Sequence, residues 1–157
     1  MVDISRTSTA AAVDVHRTTT ASPAAVWEVL ANGWYYPTWV VGAARIRAVS
    51  SHWPGVGAVL HHSVGAWPLL INDRTEVLSS EPERELVLLA SVAPMGRAPV
   101  HLRLAPTAGG GCEITMAEDV AEGPARLIPG PVRQALIAPR NAETLRRLCY
   151  IAERRSE

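Results

Sequence analysis

The chain has 157 residues, 48% of them hydrophobic and 19% charged, and its formal net charge is zero. That length suits one domain with a real core, and a neutral, unclustered charge balance argues against a nucleic-acid or anionic-membrane surface, since each needs a basic footprint. Arg supplies every basic residue and there is no Lys, which excludes a Schiff base, a pyridoxal phosphate anchor and a Walker A lysine.

Phe is absent too, and Ala, Arg, Gly and Pro are abundant, as base-composition bias would produce. The N-terminus, MVDISRTSTAAAVDV, lacks the apolar stretch of a secretory signal. No run approaches the length of a membrane span. Cys112 and Cys149 lie far apart with no paired spacing. The expectation is therefore a cytoplasmic protein with reduced thiols and no stable membrane anchor.

Residues 1–11 are small and polar, and read as a flexible N-terminal segment ahead of a single domain over 12–157. From Val13 to Thr20 β-branched residues alternate with polar ones, a strand pattern. Ser22 is placed as an N-cap with Pro23 at the first helical position. Val26, Val29 and Leu30 form the apolar stripe of that helix, and Gly33 is expected to close it in a left-handed turn. Trp34 to Gly42 then reads as a second short helix. Half of the eight aromatic residues fall within it: Trp34, Tyr35, Tyr36 and Trp39. Six strands follow, at roughly 44–51, 57–66, 71–80, 85–93, 98–105 and 112–120, punctuated by Pro and Gly turns, which implies an antiparallel meander. From about Val132 to Arg155 the period is helical, with Leu145, Leu148, Cys149 and Ala152 on one face. Pro139 should break or kink this helix near its start.

Three segments carry a family resemblance. TTTASPAAVWEVLANGWYYPTW, WPGVGAVLHH and RNAETLRRLCYIAE resemble the opening, the second-to-third strand turn and the final helix of the START-like superfamily, some of whose members are polyketide cyclase/dehydrase and lipid-transport proteins. The likeness runs from about Val13 to Glu153. It implies an α+β helix-grip fold: a curved seven-stranded antiparallel sheet wrapped around a long C-terminal helix, with two short helices between strands 1 and 2. A strongly bent sheet encloses more volume than one helix fills, so the resemblance also implies a cavity between sheet and helix.

Alternation sorts the strand residues by face. Val100, Leu102 and Leu104 share the inner face, leaving His101 and Arg103 to solvent. Leu86, Leu88, Ala90 and Val92 form a second inner set. Ile114, Met116, Glu118 and Val120 form a third. Thr75 and Val77 carry Asp73 inward. Leu60, His62, Val64 and Ala66 are the more apolar set of their strand, which favours His62 over His61. His61 and His62 point to opposite faces, so no metal site is expected.

These facings nominate His62, Glu118 and Asp73 as acid/base candidates, with Asp73 able to orient His62 if their strands are neighbours. Glu118 has a second reading, as the ion-pair partner of Arg140 or the neighbour of Asn141 at the start of the final helix's main run. The ligand-lining candidates are Trp34, Tyr35, Tyr36, Trp39, Leu60, Trp67, Leu88, Leu102, Met116, Arg140 and Asn141. The aromatic residues read either as a gate over a flat ligand or as core. Pro54-Gly55-Val56-Gly57 and Gly109-Gly110-Gly111 are hairpin turns, since no GxGxxG and no following helix accompany them. The expectation is a binder of a small hydrophobic molecule that is polyketide-, lipid- or quinone-like, needing no cofactor and no nucleic acid, with an edge strand open to pairing in a homodimer. The alternative is a cyclase, aromatase or dehydratase using those acid/base groups. A protein-interaction module is a third class, and no stretch plainly provides its exposed apolar patch.

Overall fold

Ser22 starts the first helix as its sequence directs. In the computed structural model, which describes residues 12–92 and 94–156, its Oγ accepts from Ala25 N at 3.1 Å and Pro23 opens α1, Pro23–Leu30. A cap of this kind contributes about 1 kcal/mol. Before it runs β1, Val15–Thr19, and after it a single 3-10 turn, Gly33–Tyr35, leads into α2, Tyr36–Trp39. Then come β2 Ala43–Val49, β3 Val59–Val64, β4 Ile71–Glu81, β5 Glu85–Val92, β6 Gly96–Pro106 and β7 Cys112–Glu118. A 3-10 turn at Pro124–Leu127 precedes the long α3, Gly130–Arg155. The segment 1–11, Ala93 and the side chain of Val92 lie outside the described residues.

The seven strands form one antiparallel sheet in the order β1-β7-β6-β5-β4-β3-β2. β1 closes back on β7 in register Val15↔Met116 to Thr19↔Cys112. α3 packs on β1, β7, α1 and α2, so the final helix covers one part of the concave face. This is the helix-grip architecture. Leu60, Leu86, Leu88, Leu102, Ile114 and Met116 from the sheet meet Val26, Val29, Leu30, Trp39, Leu145 and Leu148 in one buried core.

Three local expectations are corrected. Gly33 does not close α1 in a left-handed turn, because Ala31 caps that helix in the right-handed region. Gly33 is instead a packing glycine: a Cβ there would lie 2.7 Å from Val49 Cγ1. Pro139 does not end α3, which is helical on both sides of it; the ring sits in an exposed position, and the flanking turns are held by the core and by Arg133 and Arg140. His101 is half-buried rather than solvated, and its Nε2 is enclosed without a hydrogen-bond partner among the described residues, because Val87 and Ala117 flank it on the outer face.

Candidate functional site

Inner-face residues of β3, β5, β6 and β7 change size along the strands. Bulky Leu86, Leu88, Leu102 and Met116 fill one end, while Ala90 and Ala98 pair across β5 and β6 at the other. The helices do not fill that thinner end. A cavity of about 330 Å³ remains there, lined by Val40, Val41, Val64, Ala90, Met95, Ala98, Val120, Ala125 and Ile137 among apolar groups, with Tyr36, His62, Glu118 and Arg140 as the chemically active ones.

α2 turns the Tyr36 ring inward, where it stands edge-on to Trp39 and tilted against His62, with ring centres 5.3 Å apart in both cases. Thr75 on β4 links the two polar groups. Tyr36 Oη lies 3.1 Å from Thr75 Oγ1, and His62 Nε2 lies 3.0 Å from the same oxygen. All three are buried. Burial pushes the Tyr36 phenol above its ordinary value, although the Thr75 hydrogen bond works against the rise. Burial also lowers His62, outweighing the attraction of Asp73. Both groups are therefore neutral near pH 7, and they form a phenol–hydroxyl–imidazole chain whose hydrogens can be oriented either way.

Glu118 meets Arg140. Its carboxylate, 6% exposed, accepts from Arg140 Nη1 at 2.9 and 3.2 Å. Arg140 Nε donates to Val41 O at 3.1 Å, so one guanidinium ties α3 to β7 and to the segment after α2. The cavity's carboxylate is thus engaged in an ion pair.

Of the sequence-nominated residues, the fold brings Tyr36, His62, Glu118 and Arg140 together around the cavity. The others lie elsewhere. Leu60, Leu88, Leu102, Met116 and Trp39 belong to the packed core, because they occupy the filled end of the sheet. Asp73 is buried next to His62 in register, but its Oδ1 accepts from Arg74 N at 2.8 Å, and Thr75 takes the imidazole Nε2 in its place. Asn141 is buried one residue past Arg140, outside the lining, and its Oδ1 lacks a hydrogen-bond partner among the described residues. Trp34 is exposed, and Tyr35 faces the C-terminus, its hydroxyl accepting from Arg155 Nη1 at 3.0 Å. Trp67 projects from the β3–β4 hairpin.

Sequence reasoning missed Thr75 as a site residue, although its inward facing was legible. It also missed the segment that closes the cavity. Arg133 pairs with Asp119, Gln134 Nε2 donates to Glu118 O at 3.0 Å, and Ala125 N donates to Met95 O at 3.0 Å. Gly96, with φ 135°, lets the two segments touch, since a Cβ there would overlap Glu122 O. Among the described residues no group of His, Cys, Asp or Glu is placed to hold a metal ion, and both cysteines are buried free thiols.

A curved sheet gripping a helix, with an apolar cavity and a few convergent polar groups, defines a ligand-cavity protein of the helix-grip class. The family model described as polyketide cyclase/dehydrase and lipid transport matches residues 10–153, and the chain belongs to that family. Similar solved structures include SA2116, a protein of unknown function from Staphylococcus aureus (9% identity, TM-score 0.72, covering 92% of this chain and 94% of that one). The di-domain ARO/CYC StfQ from the steffimycin biosynthetic pathway is also similar (13%, TM-score 0.70, 93% of this chain and 51% of that one). So is Ara h 8.0201 (12%, TM-score 0.66, 90% and 97%). No curated protein matches the chain in sequence.

Proposed function

We infer that the protein binds a small hydrophobic molecule, polyketide-, lipid- or quinone-like, in the cavity beside α3. The observation that carries this reading is a void of about 330 Å³ whose walls are mostly Val, Ala, Ile and Met side chains. Its volume lies at the low end of the range for drug-sized ligands, about 300–1,000 Å³, which suits a compact ring system or one short chain and not a two-chain lipid. Apolar burial supplies the affinity. The neutral Tyr36–Thr75–His62 chain offers a hydrogen-bonding edge to a carbonyl or hydroxyl of the ligand.

The second reading is a cyclase, aromatase or dehydratase acting on a polyketide-like intermediate. It is favoured by the family membership, by the likeness to StfQ, and by the imidazole–hydroxyl–phenol chain, which could pass a proton to a bound carbonyl. Binding ranks first because Glu118 is committed to Arg140 and so is not a free base.

The test is mass spectrometry of apolar material that copurifies with the protein, followed by titration with a naphthoquinone, a polycyclic phenol and a medium-chain fatty acid. Ala98→Leu, which fills the void, should abolish binding while the fold persists. No copurified ligand and no binding of any probe would end the cavity reading. For the enzymatic reading, Glu118→Gln and His62→Asn should abolish turnover of a polyketide-like substrate in folded protein, and turnover retained by both removes it.

A further inference from the structure

The cavity mouth is ringed by apolar side chains that have no place in the core. Val64 and Gly65, which line the cavity, lead directly into the β3–β4 hairpin. There Trp67 is 85% exposed and Leu69 80%, with Leu70 and Ile71 also exposed. Met95, from the β5–β6 hairpin, lines the cavity and is exposed as well. Ala125 lines it too, and two residues on Leu127 is 88% exposed. Ile137 lines it from α3, beside exposed Leu136. Four separate segments thus root in the cavity wall and end in exposed apolar side chains. Exposed apolar side chains gathered on segments that share one cavity wall mark an interaction site.

Unpaired charge around this rim comes from arginine. Long stretches of the rim are uncharged: Ser63 to Asn72 carries no ionisable group, nor do Pro94 to Gly96 and Leu127 to Val132. The charged groups that flank these stretches without a carboxylate on them are Arg45, opposite Ser63, Arg74, opposite His61, and Arg126. Glu122 and Arg97 offset each other in a salt bridge at 3.5 Å, Glu118 is paired with Arg140, and Asp73 is buried. The whole chain is neutral, so this arginine bias is local, and composition alone conceals it.

We propose that this rim docks reversibly on an anionic lipid bilayer, with the Trp67–Leu70 tip in the acyl boundary and the arginines at headgroup phosphates. Tips that protrude from separate loops penetrate a fluid surface more readily than they match a rigid protein face. An apolar tip with Arg set behind it is the composition of an interfacial anchor, and Trp favours that depth. The helices here are not long and apolar enough to span a membrane, so the contact is superficial. Its purpose, passage of a ligand between bilayer and cavity, rests on the binding reading above; the docking face itself does not.

The experiment is co-sedimentation with vesicles of phosphatidylcholine, with and without phosphatidylserine. The protein should bind the anionic vesicles, more weakly as salt rises. Trp67→Ala with Leu69→Ala should lower the partition coefficient by on the order of tenfold or more, since each side chain then loses its apolar burial. Val56→Ser removes an apolar residue that is also exposed, in the β2–β3 connection at the other end of β3, and should change nothing. Trp67 and Leu69 are both exposed, so the far-ultraviolet circular dichroism and the thermal midpoint of that variant should be unaltered. Ala98→Leu should keep vesicle binding while losing any cavity ligand, which separates the two readings. Failure to bind vesicles, or binding indifferent to the Trp67/Leu69 pair, overturns the proposal. So does self-association, or capture of an acidic protein, that depends on that pair while vesicles stay unbound.

Discussion

Arg133 grips Asp119 with two prongs, Nε to Oδ1 at 2.8 Å and Nη2 to Oδ2 at 2.9 Å, and the carboxylate is fully enclosed. The same guanidinium donates to Ile128 O at 2.6 Å, so it fastens both ends of the segment between β7 and α3. Burial works to raise the Asp119 carboxyl, but the Arg133 hydrogen bonds outweigh it and hold the group below its ordinary range. Arg133→Met strands a buried charge and should cost about 3–5 kcal/mol in urea unfolding. A carboxyl lowered on folding adds stability above its unfolded value, about pH 4, and that stability disappears as pH falls through the folded value. The variant should therefore show a shallower loss of stability in acid than the parent protein.

What sequence could reveal here is facing, and what it could not reveal is filling. Alternation put His62, Glu118 and Val64 inward, and of the two partners the sequence offered Glu118, Arg140 and Asn141, the structure supplies Arg140. The Ser22–Pro23 start of α1 was legible because capping is local chemistry. But Leu88 and Ala90 share one face, as do Ala98, Val100 and Leu102, and no period tells which end of that face the helices cover. The bulge between Val77 and Ser79 is equally silent. Arg133–Asp119 spans a loop whose path only tertiary structure sets. Trp67 reads as a ligand-lining candidate, able to cap the cavity or an edge, since an apolar ring beside Pro68 gives no sign that it points to solvent.

Gly33 offers a test of packing. Its Cα faces Val49 and Leu60, so Ala there would bring a Cβ 2.7 Å from Val49 Cγ1 and 3.2 Å from Leu60 Cδ1. Gly33→Ala should destabilise by about 1–3 kcal/mol through overpacking. Val49→Ala removes the methyl groups that obstruct. The double variant should then be more stable than the sum of the two single losses, a coupling that thermal unfolding of all four proteins would measure. Additive losses would mean that Val49 is not what obstructs the added Cβ.

His62 and His101 are both lowered, chiefly by burial. Each binds its proton more readily in the unfolded chain, whose value is near 6.5. Stability should be fully present above about pH 6.5 and decline as pH drops through the lower folded values. His62→Asn should reduce that slope without abolishing it, since His101 remains. Urea midpoints between pH 5 and pH 8 would show this. A parent protein with level stability across that interval would contradict the burial of both imidazoles.

Glu118 and Arg140 are unequal partners, because the carboxylate is 6% exposed and the guanidinium 38%. Removing Arg140 leaves a charge in an apolar pocket with the Gln134 contact to its carbonyl but no cation. Removing the charge on Glu118 leaves an arginine that can turn to water while keeping its bond to Val41 O. Arg140→Ala should thus cost about 3 kcal/mol, and Glu118→Gln about 1 kcal/mol, by equilibrium denaturation. The order is the informative result. A carboxylate sitting in water at a strand end would make both losses small and equal, whereas one held inside the cavity makes the loss of its cation the larger.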